Sequence, residues 1–127
     1  MQGADDVKHL EPLTEKIIGC AYQVSNTLGC GFLEKVYENA LAYELEKSGF
    51  SVVQQQRVNV YYDEQIVGEY VADLVVADQV LVEIKSARGL DNAHLAQCLN
   101  YLRATGLKLC LLMNFGPPRV EIKRVVY

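Results

Sequence analysis

No run of apolar residues in this chain approaches the roughly 18 needed to cross a bilayer, and Met1-Gln2-Gly3-Ala4-Asp5-Asp6 lacks the basic, then apolar, order of a secretory leader. The expectation is a cytoplasmic protein with no membrane partner. Cys-x-x-Cys pairs are missing too. Cys20, Cys30, Cys98 and Cys110 are scattered through segments that read as helix, loop, helix and strand. That spacing suits neither a zinc site nor a disulfide framework; three of the four fall among apolar neighbours as reduced core residues, with Cys30 the more exposed. Positive charge is also scarce, with twelve Lys and Arg against sixteen Asp and Glu and a net charge of −4. This is the wrong sign for coating a polyanion by long-range attraction. Any such contact must be local, through residues such as Lys85, Arg88, Arg103, Arg119, Lys123 and Arg124, each by default an ordinary solvated charge.

What is present fits one compact unit. The 127 residues show no internal repeat or low-complexity linker, so a single domain over 1–127 is expected, with 1–9 as a flexible N-terminal tail. Leu13, Ile17, Ile18, Ala21, Val24 and Leu28 follow helical spacing until Gly29-Cys30-Gly31 breaks it, and a second helix from near Phe32 carries Leu33, Val36, Tyr37, Ala40, Leu41 and Leu45. From Ser51 the pattern turns to strands. Val52 to Tyr62, Ile66 to Val76 and Val80 to Lys85 read as three antiparallel strands, the first two joined by Asp63-Glu64. A third helix, capped by Asp91 or Asn92, buries Leu95, Cys98, Leu99 and Leu102 and stops at Thr105-Gly106. Leu107 to Asn114 is apolar enough for a strand covered on both faces, and Val120 to Val126 alternates into a last strand. The order α-α-β-β-β-α-β-β implies a mixed sheet with helices packed on it, an α/β or α+β domain.

Two strands carry charge where apolar side chains would be expected: Val71-Ala72-Asp73-Leu74-Val75-Val76 and Val80-Leu81-Val82-Glu83-Ile84-Lys85. Ionised groups lose several kcal/mol of hydration on burial, so such residues are usually paired or bound to a metal. Because side chains alternate, Leu74, Val76, Val82 and Ile84 can share one face while Asp73, Glu83 and Lys85 share the other. This requires an odd loop, Ala77-Asp78-Gln79, or a bulge; a two-residue loop would put the carboxylates on opposite faces. On the helices, Glu34 and Tyr37 share a face, as do His94, Gln97 and Tyr101. Taken alone, either stripe is more simply a solvated helix surface.

Together, Glu34, Asp73 and Glu83 offer three oxygen-rich ligands suited to Mg²⁺ or Mn²⁺. Two carboxylates about 4 Å apart repel by roughly 4 kcal/mol at an effective dielectric of 20, so a proton or cation should be retained there. Such a metal would polarise a phosphoryl oxygen, with Lys85 holding a water and stabilising developing charge, Gln97 orienting water or phosphate, and Tyr101 bracing Gln97. Phosphodiester hydrolysis is the natural reaction.

Asp73 followed ten residues later by Glu83-Ile84-Lys85 resembles the PD-(D/E)xK nuclease signature, although Ala72 stands where that name places proline. Gln97-Cys98-Leu99-Asn100-Tyr101 is similar to the Q-x-x-x-Y element of its RecB-like branch, and Gly31, Glu34 and Tyr37 match the motif that names the GxxExxY family. Two positions depart from that family's pattern: Ser25, where a histidine often stands, and Cys30, where proline does. The resemblance spans nearly the whole chain. It implies a restriction-endonuclease-like core with Glu34, Asp73, Glu83, Lys85 and Gln97 as catalytic residues and metal-dependent cleavage of nucleic acid. With the helix faces and local charges read above, the expectation is that Tyr37, Tyr101 and His94 support the site, that Mg²⁺ or Mn²⁺ is the cofactor, and that the substrate, DNA before RNA, is met in part through Arg88.

The competing reading is a catalytically silent module that keeps this fold for a binding or regulatory role, which the acidic balance favours. A weaker one takes Glu83 and Lys85 as a structural ion pair. Self-association, or a protein partner, is suggested by the apolar fraction and by Tyr61, Tyr62 and Tyr127 on strands expected to be exposed.

Overall fold

The computed structural model describes residues 7–127. Residues 1–6 of the expected tail lie outside the described residues, but 7–9 are not tail: a 3-10 turn at Lys8–Leu10 anchors Val7 and Leu10 in the core. Helix α1 follows (Glu11–Leu28), started by Pro12, whose missing N–H costs nothing in a first turn, and ended at Gly29 with φ of 70°. Helix α2 (Glu34–Lys47) begins two residues later than the apolar spacing suggests. The cause is Tyr37, whose hydroxyl donates to Gly29 O at 2.6 Å and accepts from the Phe32 N–H at 3.2 Å, which holds the preceding residues as a loop.

Strands β1 (Val52–Tyr62), β2 (Gln65–Val76) and β3 (Val80–Lys85) form an antiparallel meander; α3 (Asn92–Thr105) then crosses to β4 (Leu109–Asn114), parallel to β3, and β5 (Glu121–Val126) closes the sheet in the order β1-β2-β3-β4-β5. Asp63 and Glu64 both take positive φ, 47° and 65°, as a two-residue hairpin turn requires. The β2–β3 loop is the odd one, Ala77-Asp78-Gln79, and the pairs Leu74↔Val82 and Val76↔Val80 set the expected register.

The sheet separates two apolar clusters. α1 and α2 cover Leu74, Val76, Val82, Ile84, Leu111 and Met113 on one face. α3 covers Ala72, Val75, Leu81, Cys110 and Leu112 on the other. Between them the β1–β2 ribbon changes sides: Val52 packs with the first cluster and Val58 with the second, although their separation would place them on one face of a regular strand. The switch falls at Gln55, a non-glycine residue with φ of 54°. Gln54↔Leu74 and Gln56↔Ala72 pair on either side, leaving Gln55 and Asp73 across from each other outside the ladder. Here β2 also parts from β3, and the opening holds the charged residues. Among the described residues no helix is long and apolar enough to cross a membrane.

Candidate active site

At the point where β2 and β3 separate, side chains take over the ladder. The Asp73 N–H donates to Glu83 Oε2 and the Ile84 N–H donates to Asp73 Oδ2, both at 2.8 Å. Glu83 is only 3% exposed. Burial first, and then the Asp73 charge, push its carboxyl up to about 8. Asp73 is also raised, chiefly by burial and against the pull of the Ile84 N–H. Two adjacent acids that resist ionisation together call for positive charge nearby.

Lys85 supplies some of it, two residues along β3 from Glu83 and turned to the same side. Its Nζ donates to Gln97 Oε1 at 3.2 Å, and Gln97 Nε2 donates to the Tyr101 hydroxyl at 3.1 Å. Helix α3 thus delivers Gln97 and Tyr101 from one face, as their spacing predicts. Burial, and then the charges of Glu83 and Asp73, push the Tyr101 hydroxyl up to about 12, so it stays protonated.

Three expectations need correction. Glu34 does not join Asp73 and Glu83: among the described residues no three His, Cys, Asp or Glu side chains are grouped to hold one ion. Its exposed carboxylate accepts the Ser86 N–H at 3.3 Å, because α2 packs on the opposite face from α3 and its first turn meets the end of β3 rather than the opening. Tyr37 is buried, stacked on Phe115 at 4.7 Å and bonded to the α1–α2 loop, so it braces Glu34's helix and not the carboxylates. His94 completes the α3 capping box: its N–H donates to Asp91 Oδ1 at 3.0 Å and its Nδ1 accepts the Asp91 N–H at 3.2 Å. Arg88 stands exposed in the loop after β3. Ser25 accepts the Val120 N–H at 3.1 Å within the core.

Two further residues bear on the site. Glu38, 4% exposed, accepts bonds from Gln54 and Gln55 at 2.8 Å each and from Lys35 at 3.2 Å, and Gln55 reaches on to Asp73 Oδ1 at 3.4 Å. Its spacing from Leu41, Ala42 and Leu45 places a charge in the buried stripe of α2, a signal the sequence carried. Asn114 is fully buried and clamps the loop after Lys85: its Oδ1 accepts the Ala87 N–H at 2.9 Å and its Nδ2 donates to Ala87 O at 3.0 Å. Gly116 passes so close to Ala87 that a side chain there would collide with its carbonyl.

A family model described as the PD-(D/E)XK nuclease superfamily matches residues 11–125. The chain belongs to this superfamily. The crystal structure of an alkaline exonuclease from Laribacter hongkongensis is similar in fold, with a TM-score of 0.54 and 17% identity over 72% of this chain. The match spans 55% of that exonuclease, about half its length. No curated protein matches in sequence.

Within this PD-(D/E)XK chain, Asp73 and Glu83 suit a hard divalent cation. Each comes from a separate strand, each is anchored by one backbone N–H, and among the described residues Asp73 Oδ1 has only its long bond from Gln55. Mg²⁺ is commonly held by one or two carboxylates with waters and substrate oxygens filling the rest of the shell. The pair therefore fits such an ion without Glu34.

Proposed function

We propose that this chain is a nuclease that hydrolyses phosphodiester bonds of nucleic acid, DNA before RNA, with Mg²⁺ or Mn²⁺ held by Asp73 and Glu83. The reading is carried by one observation: both acids of the superfamily signature face each other across a strand opening, with Lys85 beside them. The bound ion would polarise the phosphoryl group and acidify a water. The chain's own groups do the rest. Lys85 Nζ sets a positive charge where negative charge develops on the phosphoryl oxygens, and Gln97 fixes its direction. Tyr101, kept protonated, braces Gln97 by accepting its amide hydrogen. Glu34, at the Ser86 N–H, orders the end of β3 from which Lys85 projects, and the exposed Arg88 is a nearby contact for a phosphate.

The test is incubation of single- and double-stranded DNA and RNA with each metal, beside Glu83→Ala and Lys85→Ala. Metal-dependent cleavage that both variants lose is the expected result. Cleavage no greater than that of the variants rejects the reading.

A second reading, a silent module with a binding or regulatory role, is favoured by the separation of Glu34 from Asp73 and Glu83. It requires that Glu83→Ala leave the cellular effect of the protein intact.

A further inference from the structure

On the α3 side of the sheet, β1, β2 and α3 enclose an open cavity of about 470 Å³, lined by Asn59, Tyr61, Tyr70, Asn100 and Arg103 among others. That is within the range of roughly 300–1,000 Å³ typical of ligand sites. None of its lining residues carries a carboxylate, in a chain whose acids outnumber its bases. Tyr61 is 61% exposed and Tyr70 41%, so both aromatic rings are available to a ligand. The cavity adjoins the active site through aromatic contact: the Tyr70 ring lies 5.2 Å from that of Tyr101, which joins Gln97 and Lys85.

We infer that this cavity seats a base from a single-stranded segment of nucleic acid. The inference rests on the nuclease reading for its substrate class. The chemistry of the lining is that of a base site: tyrosine rings offer stacking faces, Asn59 and Asn100 each offer an amide donor and acceptor to a base edge, and Arg103 can meet a flanking phosphate. A single strand is required because bases in a duplex are already stacked and cannot lie against a protein ring. The change of side at Gln55 creates the cavity, since it carries the far half of the β1–β2 ribbon over α3.

The test measures fluorescence anisotropy of a labelled oligothymidylate of about ten nucleotides in EDTA, where no metal-dependent cleavage can occur. The variants are Tyr61→Ala, Arg103→Ala and, as a neighbouring exposed control that does not line the cavity, Tyr62→Ala. All three positions are open to solvent, and circular dichroism checks their folding. Tyr61→Ala should weaken binding about tenfold or more, Arg103→Ala should also weaken it, and Tyr62→Ala should not. Equal affinity for an abasic strand or for blunt duplex overturns the inference, as does unchanged binding by Tyr61→Ala. Failure to bind, with self-association that Tyr61→Ala abolishes, also overturns it and assigns the surface to a second copy. If the wild type binds in this pattern but cleaves nothing with Mn²⁺, the base site stands and the nuclease reading falls. Cleavage without any effect of Tyr61→Ala on binding has the opposite meaning.

Discussion

Asp73 and Glu83 are bound through each other's strands, the Asp73 N–H to Glu83 Oε2 and the Ile84 N–H to Asp73 Oδ2. These bonds stand where the β2–β3 ladder would otherwise continue, so ending the ladder is also what orients the two acids. A carboxylate fixed in this way loses little further freedom when an ion arrives, which is the advantage of preorganisation.

Mn²⁺ should therefore stabilise the native protein. At about 100 times its Kd a ligand that binds only the native state adds roughly 2.7 kcal/mol. Differential scanning calorimetry should show Asp73→Ala erasing the shift, with Glu34→Ala retaining most of it. Equal losses in the two variants would return Glu34 to the ligand set.

Without metal, stability should depend on pH in a particular direction. The Glu83 carboxyl holds its proton to about 8 when folded, against an ordinary value of 4.5. The unfolded chain binds fewer protons in that interval, so stability is full below about 4.5 and is lost as pH rises toward 8. The loss is of the order of 5 kcal/mol at most. Urea unfolding in EDTA at both ends of the window checks it; Glu83→Gln should flatten the dependence, and stability that rises across the window would contradict the assignment.

Asn114→Ala would leave the Ala87 N–H and carbonyl without their partner. A cost of about 2–4 kcal/mol is expected in urea midpoints. Gly116→Ala, whose new carbon would fall 2.0 Å from Ala87 O, should displace the same loop. Cleavage should fall in both variants more than metal binding does, because Lys85 sits at the start of that loop and the carboxylates do not.

Tyr37→Phe keeps the stack on Phe115 and removes the bonds to Gly29 and Phe32. It should cost about 1–2 kcal/mol in denaturant unfolding without changing the Mn²⁺-induced shift. Loss of that shift would give Tyr37 the direct supporting role that its place beside Glu34 suggested.

The sequence by itself determined the order of elements, the side of the sheet on which Asp73, Glu83 and Lys85 meet, and the partnership of Gln97 with Tyr101. Each follows from a one-dimensional rule: strand alternation, the parity of the Ala77-Asp78-Gln79 loop, or the helical repeat. Only the tertiary structure decided that Glu34 meets Ser86, 52 residues away, that Glu38 bonds Gln54 and Gln55, and that His94 is spent on a cap. Helical spacing says which residues share a face, but what that face touches depends on which side of the sheet the helix packs. The strand opening at Gln55 and Asp73 was equally out of reach, because a positive φ in the middle of a strand leaves no mark on hydropathy. Pattern ended where long-range packing began.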